Sequence, residues 1–448
     1  MSRVSETMDD PNAIAVRLAT AALPHPPSTP RPRLEAAARP GLVRGVTTEL
    51  WQQINADPPA AGRILSQRLR RDRSLGSKGR RTTSSVIYGL IRHGDLLRLW
   101  VDRIGGDPSD PHHLYLTWLV VGDGLEPDLA AAQLPALNFA KLAQAEALVA
   151  EHASTLSPAE ALALGGSLPL WLAETWWNEL GPEAGELITA FAQRPPMAAR
   201  ANQSRIDRET LAERLATEGV IATPGHLAPH ALVFHDRRNI HILPSFREGL
   251  FEVQDEGSQL LAALAQPSPG ARIVDFCAGA GGKALALADA GARVQALDVR
   301  DGALRILERR MARAGQSIRY QVMDETGPPP VETDWADTVL VDAPCSSSGV
   351  LRRHPEMRWR MTPAWVASRA SLQRGILARA ATLVRPGARL VYGTCSLLRA
   401  ENQEVLTHFL DAHPDFEVVE RLGDDGVLWP QRTGTDGFYG VAMVRRAG

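Results

Sequence analysis

The chain has 448 residues, 44% of them apolar and 22% charged, and a formal net charge of −2. That length is more than one core ordinarily fills, and the balance is that of soluble globular domains rather than of a polycation. Three cysteines, far apart and with no CxxC, exclude a disulfide scaffold and a zinc ribbon, and no metal site is expected.

The first residues place acids and Arg17 where a signal peptide needs an uninterrupted apolar stretch. No run approaches the roughly 20 apolar residues that cross a bilayer. A cytoplasmic protein with no membrane partner is expected, a monomer by default. Residues 1–40, with Pro24, Pro26, Pro27, Pro30, Pro32 and Pro40, read as a flexible leader.

From 41 to 165 the apolar spacing is helical (Leu65, Leu69, Val86, Ile87, Leu90, Ile91, Leu114, Trp118, Leu119), and this reads as an all-helical module. The near-neutral net charge hides an asymmetry here. Arg63, Arg68, Arg70, Arg71, Arg73, Lys78, Arg80 and Arg81 stand against the single acid Asp72, a patch able to neutralise phosphates or simply to solvate a helix end. Residues 166–249 mix a Trp-rich helix (Trp171, Trp176, Trp177, read as core rather than as base-stacking residues), a helix near 209–219 and the strand-like ALVF, as in a small α+β connector.

From 250 to 448 strands and helices alternate. ARIVDF, ARVQALD, ADTVLVDAP and ARLVYGTC read as strands, with helices over 284–290, around Leu304, Leu307 and Met311, and over 365–384. This rhythm predicts an α/β fold with a mostly parallel, doubly wound sheet.

Each cysteine sits where such a sheet presents chemistry, at the carboxyl end of a strand. Cys277 lies in VDFCAGAGGK, whose Gly279, Gly281 and Gly282 let the backbone approach a ligand. Asp298 ends the next strand, 19 residues after Gly279, where an acid can take both ribose hydroxyls. The spacing also satisfies a dinucleotide fingerprint, so it leaves the nucleotide cofactor open. Asp324, after RYQVM, could reach an adenine amino group. Asp342 and Cys345 share the turn of VDAPCSSSG, stiffened by Pro344, and Cys395 ends VYGTC.

Two thiols at the ends of two parallel strands, near a cofactor turn, suit methylation of a pyrimidine at C5. That carbon is too weak a nucleophile until a thiolate adds at C6; an acid near N3 stabilises the charge, and a base then removes the C5 proton.

Several phrases together resemble the RNA cytosine-C5 methyltransferases of the Sun/RsmB type. They are FEVQDEGSQ (251–259), DFCAGAGGK (275–283), Asp298, Asp324, DAPCSSSGVLRRHPE (342–356), YGTCS with Glu401 and Asn402, and DGFY (436–439). The resemblance implies a Rossmann-like methyltransferase sheet using S-adenosyl-L-methionine. It implies that Cys277, Ala278, Gly279, Ala280, Gly281, Gly282, Lys283, Asp298, Asp324 and Asp342 bind that cofactor. Cys395 would attack C6, Cys345 would assist proton removal and release, and Asp342 and Lys283 would join the catalytic group. The chain departs from the usual CAAPGGKT at Gly279, Ala280 and Ala284, a change expected to weaken cofactor affinity, and has Tyr439 where phenylalanine is common.

The helical region, through residues 70–93, resembles a NusB-like RNA-binding domain, and RPPMAARAN resembles the family's connector. Small-subunit (16S) ribosomal RNA is the implied partner, with transfer RNA as the alternative. The resemblance would put Arg352, Arg353, His354 and Arg358 against the substrate strand. Three other readings compete: a non-catalytic ribosome-assembly factor, a dinucleotide-dependent oxidoreductase, and a DNA cytosine methyltransferase.

Overall fold

A computed structural model describes residues 31–447 except Arg73, Arg237 and Arg238, together with Ala13, Arg17 and Leu18. It divides into two compact units: residues 1–194 with 351–361, and residues 195–350 with 362–448.

The described part of the first unit is helical. Its boundaries follow local chemistry: Asp110 accepts the His112 N–H ahead of Pro111–Val121, and Ser157 and Glu160 form a reciprocal capping box on Pro158–Gly166. Trp118 is the central wedge. A Cβ on Gly89 would lie 2.2 Å from its ring, and His93 stacks on it with 5.5 Å between centroids. Trp176 is fully buried, as expected.

Part of the expected leader is ordered. Residues Arg31–Ala38 form a helix whose Leu34, Ala37 and Ala38 are buried, and Tyr115 Oη donates to Ala37 O at 2.9 Å. Three apolar side chains were enough to dock it despite the prolines around it. Residues 1–30 of the leader lie outside the described residues, apart from Ala13, Arg17 and Leu18. The helices Leu170–Leu180 and Glu183–Ala192, assigned to the connector from sequence, cluster with the first unit.

The second unit begins with a four-stranded antiparallel sheet, β2-β3-β1-β4, made of β1 (Met197–Ala201), β2 (Ala222–Pro224), β3 (Ala231–Phe234) and β4 (Phe251–Val253). This is the small α+β connector, with helix Arg208–Thr217 against it. It is fastened to the following domain by buried polar contacts. Arg200 pairs with Asp289, and Asn202 Nδ2 donates to Ala314 O at 3.0 Å.

The larger sheet has the order β10-β12-β9-β8-β5-β6-β7, with β11 (Val427–Leu428) beside β12. Its parallel strands are β5 (Arg272–Asp275), β6 (Arg293–Asp298), β7 (Arg319–Val322), β8 (Ala336–Asp342) and β9 (Val384–Thr394). β12 (Phe438–Arg445) runs antiparallel between β9 and β10 (Phe416–Arg421). Chain direction across the sheet reverses between β5 and β8. Ligands of open α/β sheets bind at such a switch point, outside the carboxyl ends of the strands.

Candidate active site

At that switch point a cleft of about 640 Å³ opens. The turn leaving β5 forms its floor. Gly279 and Gly281 adopt φ of +55° and +80°, and a Cβ on Gly281 would lie 2.2 Å from Leu307 Cδ1. Only glycine fits there, because both the conformation and the space exclude a side chain. The turn is fixed to β6 by Ala278 N–H on Leu297 O and by Gly279 N–H on Asp298 Oδ2, at 2.9 and 2.8 Å.

Burial opposes ionisation of Asp298. The Arg300 side chain, the Arg300 N–H and the Gly279 N–H outweigh it and hold its carboxyl below the usual carboxylate range. Asp275 is in the opposite state. It is 1% exposed, and neither oxygen closes a full hydrogen bond with the protein, the Ala284 N–H giving only minor relief. Burial, with the charges of Asp342 and Asp298 and against that of Lys283, pushes its pKa up to about 7. Burial likewise drives the Cys277 thiol well up, which keeps it neutral.

Lys283, in the first turn of helix Gly282–Asp289, reaches Asp342 at the end of β8, with Nζ 2.6 Å from Oδ2. Its ammonium also lies 5.5 Å from the centre of the Phe438 ring. The two remaining cysteines meet one strand further on, with Sγ of Cys345 3.4 Å from Sγ of Cys395. Ser347, a non-glycine residue at φ +62°, brings its Oγ to 3.6 Å from Cys395 Sγ. Strained backbone of this kind persists where surrounding contacts enforce it.

The thiol pair is electrostatically unequal. The hydrogen bond from Cys345 lowers the pKa of Cys395 against the cost of burial, with help from Ser347 and Lys283. The same contact, added to burial, raises Cys345 well above an ordinary thiol. Cys395 is therefore the readier thiolate.

Of the residues expected from sequence, Cys277, Ala278, Gly279, Ala280, Gly282, Lys283, Asp298, Asp342, Cys345 and Cys395 line this one cleft. Gly281 sits behind the turn and shapes it. Asp324 does not line the cleft. It is solvent-exposed beside the edge strand β7, while its neighbours Met323 and Glu325 do line it. Sequence reading gave no role to Asp275 or Glu401, although both stand in quoted motifs, nor to Ser347 or Arg300. Arg352 and Arg358 also sit otherwise than expected. They are 5% and 2% exposed within the first unit, and the Arg358 guanidinium caps the carbonyls of Gly166, Ser167 and Arg92.

Among the described residues no group of three or more His, Cys, Asp or Glu side chains could hold a metal, and no helix is long and apolar enough to cross a membrane. Residues 262–444 match the family described as 16S rRNA methyltransferase RsmB/F, and residues 168–241 match its ferredoxin-like domain. The chain is 31% identical over 419 residues to a probable ribosomal RNA small subunit methyltransferase B of Synechocystis sp., covering 83% of this chain and 92% of that protein. A probable ribosomal RNA small subunit methyltransferase B of Bacillus subtilis is 34% identical over 310 residues, 65% of this chain and 69% of that one. The crystal structure of PH0851 superposes with a TM-score of 0.70 at 25% identity, covering 93% of this chain and 99% of that chain. With strand order, cleft and matched motifs in agreement, the chain belongs to the RsmB/F family of RNA methyltransferases.

Proposed function

We propose that the protein methylates C5 of a cytosine in small-subunit ribosomal RNA, using S-adenosyl-L-methionine and a covalent bond from Cys395. The observation that carries this reading is the 3.4 Å thiol pair lining the same cleft as the glycine turn. The cofactor fits the residues present. The turn offers backbone at positive φ, Asp298 stands at the strand end to meet ribose hydroxyls, and Asp275 keeps two buried oxygens without full partners. When bound there, the cofactor supplies an electrophilic methyl group.

Cys395 starts as the more acidic thiol and adds to C6 of the ring. As the sulfur–C6 bond forms, the C5=C6 pair moves into C4–C5 and the C4=N3 pair onto N3, where a proton relayed from the Lys283 ammonium through Asp342 would neutralise the charge. C5 then takes the methyl, and the proton on C5 must leave before the thiolate departs. Cys345 is suited to receive it. The contacts that hold Cys345 protonated come mainly from Cys395 as a thiolate. Once Cys395 is bonded to carbon, both its charge and its hydrogen-bond acceptance weaken. Cys345 then ionises more easily, at the stage when a base is needed. The exposed cations of the basic helix pair, among them Arg63, Arg70, Arg71, Lys78 and Arg81, would contact RNA phosphates.

The test is incubation with small-subunit RNA and labelled cofactor. Cys395→Ala is expected to be inactive and to form no adduct, and Cys345→Ala to accumulate a covalent protein–RNA complex. The reverse pattern overturns the assignment of roles. Methyl transfer to DNA but not RNA overturns the substrate.

A further inference from the structure

Glu401 is completely buried, and the mechanism above does not use it. Its two carboxyl oxygens divide between the two cysteine loops. Oε1 accepts the N–H of Ser346, next to Cys345, at 2.8 Å, and Nε2 of Gln373 at 3.1 Å. Oε2 accepts the hydroxyl of Ser396, next to Cys395, at 2.6 Å. All three neighbours are donors, which matches an ionised, acceptor-only carboxylate.

The site of Glu401 is itself fixed. Its backbone carbonyl accepts Tyr392 Oη at 2.6 Å, and its N–H donates to Leu398 O at 3.0 Å. Gln373 closes the arrangement by also donating to Pro344 O at 3.1 Å. Other direct ties run beside this carboxylate, including Leu397 N–H on Ser348 Oγ and Ala343 N–H on Gly393 O, both at 2.9 Å. The serine hydroxyls touch at 3.0–3.2 Å, and Gly349 N–H meets Cys395 O at 2.9 Å.

We infer that Glu401 is a positioning residue, whose carboxylate clamps the loops of Cys345 and Cys395 together and so sets the separation of the two thiols. The inference rests on the proposed roles of those cysteines. Its charge acts in the same direction as its geometry. It is a further cause, after the Cys395 contact and burial, of the upward push on Cys345. A carboxylate placed there therefore keeps the second thiol protonated while holding it within reach of the first.

The separation can be read without RNA or cofactor. Diamide takes up two thiol protons and two electrons, becoming a hydrazine, as a Cys345–Cys395 disulfide forms, and peptide mass spectrometry follows the cross-link. Glu401→Ala is expected to slow cross-linking about tenfold or more, because catalytic and bonding geometries fail steeply with displacements near 1 Å. Glu401→Gln, which keeps the shape, should stay within about threefold of the parent chain, since an amide retains one acceptor oxygen and Ser396 can reverse its bond. In the Gln variant, alkylation of Cys345 should begin at lower pH, because a negative neighbour has been removed. In methyl transfer, Glu401→Ala should lower kcat while the KM for S-adenosyl-L-methionine stays close to that of the parent.

Cross-linking of Glu401→Ala at the parental rate overturns the inference. Should that variant fail to fold, Ser396→Ala removes the Oε2 link together with that hydroxyl's own ties to Ser346 and Ser348, and an unchanged cross-linking rate there overturns it equally. Absence of methylation by the parent chain would defeat the proposed function and leave the cross-linking result standing by itself.

Discussion

Lys283 Nζ lies 2.6 Å from Asp342 Oδ2, so that the helix after β5 is tied to the end of β8 across the switch point of the sheet. The lysine is 8% exposed. Burial opposes its charge, yet the charge and hydrogen bond of Asp342, followed by Asp275, raise its pKa above the ordinary lysine value. Asp342→Asn would leave a buried ammonium without its counter-charge, at a cost of about 3 kcal/mol. A folded pKa raised above the unfolded one gives stability that is full below the unfolded value and lost as pH rises through the folded value. The penalty in urea unfolding should therefore be present near about pH 5 and shrink only as Asp275, whose charge also faces Lys283, ionises at higher pH. Absence of a penalty at about pH 5 contradicts the pair.

Asp275 gives the opposite pH signature. Its folded pKa is about 7 against the ordinary 3.8, so the folded state holds a proton that the unfolded state releases. Stability should fall as pH rises through that interval and level off above it. Asp275→Asn removes the penalty, and the variant should gain on the parent by no more than about 4 kcal/mol at pH 8, with the gain shrinking toward pH 4. Unfolding curves at the two pH values check this. A variant less stable than the parent at pH 8 would mean that the ionised form is needed for the fold.

Much of this arrangement was readable in the chain. Strands β5, β6, β8 and β9 each carry a run of β-forming residues closed by a turn residue, and the cysteines and acids that end them reach one cleft. The antiparallel strands β10 and β12 were not identified as strands. FEVVER is mostly exposed and charged on one side, and FYGVAMVR was read only through its opening motif. The basic stretch 351–361 misled for a physical reason. Charge in a sequence suggests solvent or phosphate, whereas Arg358 is spent on helix-end carbonyls within the protein, a partner that no local pattern announces. Asp324, which by resemblance would bind the cofactor, stands exposed just after the edge strand β7 and outside the lining of the cleft.

The glycine turn separates space from conformation. Gly281 needs both a positive φ and the volume next to Leu307, so Gly281→Ala should cost at least about 2 kcal/mol and weaken cofactor binding. Gly282 opens a helix at ordinary dihedrals, and a Cβ there would meet nothing within 4 Å. Gly282→Ala should therefore hold or slightly raise the melting temperature. Equal losses in the two variants would show that the turn tolerates no side chain for a reason other than the one given.

Arg358 offers the corresponding test in the first unit. Its guanidinium donates to carbonyls at the end of helix Pro158–Gly166 and of helix Ser77–Arg92, as well as to Pro355 O at 2.8 Å. Arg92 returns a bond to Arg352 O at 2.9 Å, and Trp359 lies 6.4 Å from Trp51 between ring centres. Arg358→Ala would strand several buried acceptors at about 1–3 kcal/mol each before relaxation. Loosening of the segment should show as faster tryptic cleavage at Arg353 and Arg360, with little change at sites elsewhere. Arg358→Lys can satisfy one carbonyl but not the fork, so it should fall between the two. An Arg358→Ala variant as resistant to trypsin as the parent would mean that the aromatic contact and the proline bends hold the segment without the guanidinium.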